Sequence, residues 1–311
     1  MVESRSAIRN FEQLLAAARA VTERHGHRTI AIAAADQRES VLAAAEAWRE
    51  GLARSILVGD EATITQIAAA EGIDLSPLAV VHQPDPLAAA ATAAQLVGRG
   101  EADFLMKGRV DTAHLMHAGL DKEAGLRTGR LLSHVAVFEM PGYHRLILLS
   151  DAGVVVAPTL EQKVEIIQNA VVVAHGLGLA QPRVAVLAAT EVVNLKIRAT
   201  VEAAILSKMA ERQQITGCLV DGPLAVDTAM STEAAHLKGL SSPVAGRADI
   251  LIVPDIEAGN MLGKAMNHFA GGTLAGVVVG ARSPFLVVSR SDPELSKLVS
   301  MALAVLLTAP A

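Results

Sequence analysis

The chain has 311 residues, of which 51% are apolar, 19% charged and 2% aromatic, and its formal net charge is −5. At about one domain per 100–200 residues this length predicts two domains, and so apolar a chain excludes disorder along its whole length. Few aromatic side chains and no long basic run argue against stacking on bases or tracking a phosphate backbone, so no nucleic-acid partner is expected.

A single cysteine, Cys218, leaves no internal disulfide and no four-thiolate zinc site. The opening MVESRSAIRNFEQ has no apolar signal segment. The apolar run 298–311 falls short of the roughly 20 residues a membrane-spanning helix needs. The expectation is a soluble cytoplasmic protein with no membrane partner.

Short β-branched runs alternate with Ala-rich amphipathic stretches from end to end. In chain order a helix is predicted over 8–24, a strand over 29–34, a helix over 39–51 and a strand over 55–58. A helix over 62–71, a strand over 79–82, a helix over 87–97 and a strand over 103–106 follow. Then come strands over 135–138 and 145–149, a helix over 160–175, a strand over 184–187 and a helix over 195–212. The chain closes with strands 218–220 and 250–253, helix 259–269, strands 276–279 and 285–288, and helix 293–305. Several strands are apolar throughout rather than alternating, which suits a parallel sheet covered on both faces, an α/β doubly wound fold. The rhythm breaks over 131–158, where three apolar strands follow closely and Pro141-Gly142 marks a hairpin turn between the first two. A domain boundary is therefore expected near Leu131.

In open α/β sheets ligands gather beyond the carboxyl ends of the strands, and four such places carry suggestive residues. Lys107-Gly108-Arg109 follows a strand and precedes a helix opening at Asp111-Thr112, a composition suited to an anion cradle. The plainer alternative is a basic loop. Asp221-Gly222-Pro223, with Asp227 beyond, places a carboxylate that could orient a substrate or serve the next helix as a cap. Asp255, followed by Gly259-Asn260 at a helix start, offers backbone N–H groups and room for a phosphoryl group, or is an ordinary strand-to-helix turn. Ser289-Arg290 closes an apolar strand with a hydroxyl and a guanidinium whose planar fork suits phosphate. Beyond it Ser291, Asp292, Pro293 and Glu294 also read as helix-capping residues.

Other candidates are weaker. His114 and His117 lie three apart on a helix without a third ligand, so no metal is expected. Cys218 sits in an apolar strand pattern and reads as a small hydrophobe rather than a nucleophile. There is no GxSxG elbow, no Walker lysine motif and no Rossmann glycine fingerprint.

Taken together these motifs resemble the phosphate acetyl/butyryltransferase family. The matching stretches are FLMKG (104–108), GLRTGRLLSHV (125–135), APTLEQKVEIIQNA (157–170), VDGPLAVD (220–227), SPVAGRADILIVPDIEAGNML (242–262) and VVSR (287–290). The resemblance implies reversible transfer of a short acyl group between CoA and phosphate, with CoA and phosphate as substrates and no cofactor. It implies two doubly wound α/β domains with a cleft between them, like the isocitrate/isopropylmalate dehydrogenases, in a homodimer. The first domain would comprise 1–131 and 287–311, and the second, carrying the dimer contact, 132–286. Ser289 would hydrogen-bond the CoA thiol and Arg290 hold the phosphoryl group. Substrate contacts would fall on Lys107, Gly108, Arg127, Arg130, Ser133, Asp221, Asp255, Gly259 and Asn260. In acetyl-specific members a basic Asp lies seven residues beyond the Ser, and here that offset lands on Ser296. Asp292 or Glu294 would take its role, or no dedicated carboxylate would. A non-catalytic acyl-CoA binding protein and a metal-dependent decarboxylating dehydrogenase of the same fold stay open as alternatives.

Overall fold

The computed structural model describes residues 7–288 and 293–310. In chain order its first half comprises α1 (Phe11–His25), β1 (Arg28–Ala33), α2 (Arg38–Arg49), β2 (Ala53–Gly59), α3 (Glu61–Glu71), β3 (Ala79–His82), α4 (Pro86–Gly98), β4 (Phe104–Lys107), α5 (Thr112–Leu120), β5 (Ser133–Glu139) and β6 (Ile147–Ser150). The second half comprises α6 (Leu160–Gly176), β7 (Arg183–Leu187), α7 (Arg198–Glu211), β8 (Leu219–Leu224), α8 (Val226–Met230), α9 (Thr232–Leu237), β9 (Ile250–Ile252), α10 (Ile256–His268), β10 (Thr273–Val279), β11 (Phe285–Leu286) and α11 (Glu294–Leu307). No helix among the described residues is long and apolar enough to cross a membrane.

The chain divides into two compact units. Among the described residues a middle unit holds 7–10 with Leu131–Leu274, and a flanking unit holds Phe11–Arg130 with 275–288 and 293–310. The return to the flanking unit thus comes earlier than the 286/287 position read from sequence. The reason is strand pairing: β11 lies parallel to β4 and β10 lies antiparallel to β11, so both strands belong with the flanking sheet. The amino-terminal residues group with the middle unit, where Ile8 N–H donates to the Leu177 carbonyl at 2.9 Å.

In the flanking unit the strands run in the order β3-β2-β1-β4-β11-β10. β1 pairs in parallel with both β2 and β4, and β2 with β3. The chain steps outward from β1 to β3, then returns to the far side of β1 as β4, creating a topological switch between β1 and β4. Ile30, Ala31, Ile32 and Ala33 are all fully buried. Since successive strand residues point to opposite faces, the sheet is covered on both sides, as an apolar, non-alternating strand requires. Each large aliphatic side chain buried there contributes about 1.5–3 kcal/mol. Asp60 and Asp85 cap α3 and α4 by accepting from Thr63 and Ala88 N–H, whereas no side chain caps α2 or α5. α2 and α5 are the helices that follow the two strands of the switch, and α11 likewise starts without a side-chain cap.

In the middle unit the order is β5-β6-β9-β7-β8. β5 and β6 form an antiparallel hairpin whose Pro141-Gly142 turn is closed by Tyr143 N–H donating to Met140 carbonyl at 3.0 Å. β6, β9, β7 and β8 pair in parallel. Its core gathers Phe138, Leu149, Leu187, Leu224 and Leu251, against which Leu262 and Met266 of α10 pack. Of the three apolar strands expected within 131–158, only β5 and β6 form, and the valine run 154–156 is irregular. Asp151 explains this: its buried carboxylate accepts N–H groups from His134, Gly153, Val154 and Val155, taking donors a strand would have given to a neighbour.

Candidate active site

The chemistry-bearing residues of the flanking unit collect where its strands β4 and β11 end. β4 closes on half-buried Lys107, in register with Ala33 of β1. Gly108 and Arg109 N–H groups then donate to the Ala33 and Ala34 carbonyls at 2.8 and 2.7 Å. A Cβ on Gly108 would sit 2.4 Å from the Ala34 oxygen, so only glycine allows the two strand ends to approach this closely. Arg109 is not an unspent cation, since it is paired with Asp36, whose carboxylate is buried.

A small crevice opens beside this turn. It is lined by Gln37, Glu39 and Ser40 from the start of α2, by Met106, Lys107 and Gly108, by Val288 and by Lys297 of α11. Gln37 donates to the buried Ser40 hydroxyl at 3.0 Å, which organises the uncapped start of α2 without satisfying its N–H groups. Lys297 was not singled out from the sequence. Its signal was present all the same, a lone cation inside ELSKLVSMALAVLL, a helix otherwise apolar along nearly its whole length. It is 7% exposed, and among the described residues no ion pair or hydrogen bond involves its ammonium.

Of the four residues expected to carry the reaction, Ser289, Arg290 and Asp292 lie outside the described residues, as does Ser291. Glu294 is described. It is exposed and stands first in α11, directly after Pro293, so it does not occupy the third helical position that a capping box with Ser291 requires. There its charge suits the helix dipole. Arg38, held by Glu71 at 2.6 and 3.0 Å, has its pKa raised chiefly by that bond, with Glu294 among the smaller contributions. Ser296, where acetyl-type members would place their Asp, is buried at 2% exposure. Arg127 and Arg130 are exposed on the loop between α5 and β5. That loop is anchored within the flanking unit by Thr128 donating to the Gly280 carbonyl and by Arg282 N–H donating to the Leu126 carbonyl.

The strand ends of the middle unit are built differently. Asp255 caps α10, accepting the Ala258 N–H at 2.9 Å. α10 begins at Ile256 rather than at Gly259, and the Gly259 N–H already donates to the Asp255 carbonyl. A Cβ on Gly259 would meet the Asp151 carbonyl at 2.7 Å, so this glycine makes room for the Asp151 turn and not for a phosphoryl group. Asn260, next to it, is exposed. Ser133 is fully buried, its hydroxyl accepting from Asn169 at 2.8 Å.

Asp221 lies inside β8 rather than at its end and accepts the Gly222 N–H at 2.8 Å. β8 continues through Gly222-Pro223, which its edge position tolerates, while its register against β7 shifts between Ala185 and Leu187. Asp227 is exposed and bonded to Lys238, which holds its carboxyl below the usual range. Cys218 falls in a bend just before β8, and burial pushes its thiol up to about 11. A roomier groove of about 550 Å³, lined by Tyr143, Arg145, Arg183 and Arg247 among others, opens where β6, β7 and β9 begin. That is the amino end of the sheet, and Asp249 already holds Arg145 at 3.2 Å and Arg183 at 3.7 Å. Among the described residues no group of three or more His, Cys, Asp or Glu side chains is placed to hold a metal ion.

An α/β protein whose cationic side chains converge on a strand-end crevice at a topological switch belongs to the class that handles anionic small molecules. The family model for phosphate acetyl/butaryl transferase matches residues 83–305, and the chain belongs to this family. It is 44% identical over 301 residues to a phosphate butyryltransferase of Clostridium beijerinckii, covering 97% of this chain and 98% of that protein. It is 46% identical over 277 residues to a phosphate acetyltransferase of Thermotoga maritima, covering 89% and 94%. Among solved structures, a branched-chain phosphotransacylase from Enterococcus faecalis superposes with a TM-score of 0.79 at 33% identity, covering 90% of this chain and 99% of that one.

Proposed function

We propose that this chain is a phosphate acyltransferase that moves a short acyl group reversibly between CoA and inorganic phosphate. The observation that carries the reading is near full-length similarity to proteins named for this chemistry, in a chain where Lys107 and Lys297 line a crevice at the end of β4.

In the direction of CoA acylation, the thiolate of CoA attacks the carbonyl of an acyl phosphate, and a tetrahedral oxyanion forms. The C–O bond to phosphate then breaks, and phosphate leaves with the electron pair. In reverse, a phosphate oxygen attacks the thioester and the CoA thiolate departs. A thiol with an ordinary pKa of about 8.5 is mostly protonated at neutral pH, so a hydrogen-bonding group beside it raises its reactivity. Ser289 is proposed for that place and Arg290 for the phosphoryl oxygens, with Asp292 or Glu294 as the acceptor of the thiol proton. Donors already aimed at the developing charge are worth about 3 kcal/mol each. Lys107 and Gly108 would complete the anion site, and Arg127 and Arg130 offer exposed guanidinium groups to the phosphates of CoA. No metal or acyl-enzyme enters the scheme, consistent with a Cys218 thiol that is protonated at neutral pH.

The acyl chain is proposed to be short, straight or branched, with butyryl favoured by the VDGPL wording at 220–224. One methylene discriminates by only about 1–3 kcal/mol, so acetyl and propionyl substrates should overlap with it. The isocitrate/isopropylmalate dehydrogenase likeness of the fold, a cytoplasmic location and pairing into a homodimer through the middle unit belong to the same proposal. Pairing is supported by Val192, Val193, Leu195 and Leu237, large apolar side chains left exposed on that unit. Release of CoA, followed with a thiol reagent from acetyl-, propionyl- and butyryl-CoA with and without phosphate, tests the activity. Phosphate-dependent release is expected, fastest with butyryl-CoA, and release that ignores phosphate would overturn the reading.

A further inference from the structure

Burying an ammonium without a counter-charge is costly, and proteins do it where a partner arrives from outside. Lys297 is more than nine-tenths buried in α11, takes part in no ion pair or hydrogen bond among the described residues, and lines the crevice at the end of β4. Three further observations give the crevice its sign. Lys107 lines it as a second cation, the start of α2 reaches it with no side-chain cap, and Glu39 is the one acidic lining residue among the described residues. The room inside is about 10 Å³, that of one water-sized group. It therefore takes one oxygen of a larger anion whose remainder stays at the mouth.

We infer that Lys297 is a phosphate-binding residue, its ammonium donating to one oxygen of inorganic phosphate, or of the phosphoryl group of acyl phosphate, inserted between Lys107 and the start of α2. This rests on the acyltransferase reading for the identity of the anion and adds to it a residue outside the Ser289–Glu294 segment. An ammonium is a compact point charge suited to a single oxygen, where a guanidinium fork would ask for two. Lys297 also follows directly on Ser296, the position of the Asp in acetyl-specific relatives. The chain thus presents a cation beside the place where that pattern presents an anion.

The test compares wild type with Lys297→Met, which keeps length and apolar bulk and removes the charge. Initial rates are measured against phosphate at saturating butyryl-CoA, and against butyryl-CoA at saturating phosphate. A hydrogen bond to a charged group lost from the complex should raise the phosphate KM by about tenfold or more. The butyryl-CoA KM should stay within about twofold, since the CoA phosphates bind elsewhere. Inorganic phosphate alone should raise the melting temperature of wild type and not of the variant. An unchanged phosphate KM overturns the inference, and so does a rise confined to butyryl-CoA, which would give the ammonium to a CoA phosphate. Should Lys297→Met fail to fold, Lys297→Arg serves instead: a several-fold rise in phosphate KM is expected from the misfit of the fork, and an unchanged value overturns the assignment. If wild type releases no CoA from any short acyl-CoA, the acyltransferase reading fails, while the phosphate-dependent melting shift still decides the role of Lys297.

Discussion

The two units solve the same architectural problem and leave different residues over. Both are mostly parallel sheets whose strands end in loops that lead into helices. In the middle unit the polar groups singled out from the sequence are largely taken up by hydrogen bonds within the unit. Asp151 takes four N–H groups, Asp255 caps α10, and Ser133 is bonded to Asn169. In the flanking unit α2 and α5 start without a side-chain cap, and Lys107 and Lys297 line a crevice between the start of α2, the end of β4 and α11. A strand-end carboxylate is thus poor evidence of chemistry until its hydrogen bonds have been counted, whereas a buried cation with no partner is strong evidence.

Substitutions can break this contrast. The largest effect is expected at Arg290, the guanidinium proposed to meet the phosphoryl group. Arg290→Ala should cut turnover by about 100-fold or more and raise the phosphate KM; initial rates that saturate with phosphate as in wild type would remove the residue from the site.

Next comes the buried ion cluster of the middle unit, where Lys163 donates to Glu202 at 2.6 Å and Arg198 donates to it at 2.5 Å. Lys163→Met leaves Glu202 buried and short of a partner, and should lower stability by about 3 kcal/mol in urea titration. Burial acts to raise the Glu202 pKa, but the bonds from Lys163 and Arg198 outweigh it and hold the carboxyl below its ordinary 4.5. That group therefore stabilises the fold above its unfolded pKa and loses the contribution as pH falls through its folded value. The gap between wild type and Lys163→Met should accordingly narrow on acidification from about pH 4.5. A gap that is constant with pH would mean the cost is packing alone.

Asp255→Ala sharpens the comparison at smaller scale. As a cap its loss costs about 1 kcal/mol while both KM values hold, whereas a substrate ligand would move a KM first. Smallest of all, Cys218→Ala should keep turnover and change stability by no more than about 0.5 kcal/mol. Loss of activity in folded Cys218→Ala protein would revive a covalent route.

Much of the architecture was legible from apolar runs, because a buried parallel strand advertises itself by having no polar face. Apolar or β-branched runs marked the eleven strand positions found among the described residues, several of them by the lack of a polar face, and Pro141-Gly142 marked the hairpin. What escaped depended on partners distant in sequence. The run 154–156 has every local mark of a strand and is denied it by the Asp151 carboxylate. Gly259 reads as a place for a ligand until the Asp151 carbonyl is found where its side chain would be. The short helices α8 and α9 offered too few residues for a period to register. At the candidate site, Lys107 and Gly108 stood out in the sequence because a strand end, a glycine and a cation coincide in four residues. Lys297 did not, because it meets the end of β4 and the start of α2 across the crevice, and a linear reading places both far from α11.

The order in which the chain fills its flanking sheet has a consequence for biogenesis. β11 is the neighbour of β4, and α11 packs on α1 and α2, burying Val299, Met301, Leu303 and Val305. While the chain is still emerging from a ribosome, β1 to β4 must wait with one open border until β11 and α11, translated after the middle unit, arrive. The middle unit, encoded between them, can assemble in the meantime. A truncation that spares every residue of β1 to β4 but removes β11 and α11 should therefore yield an aggregating product rather than a smaller enzyme.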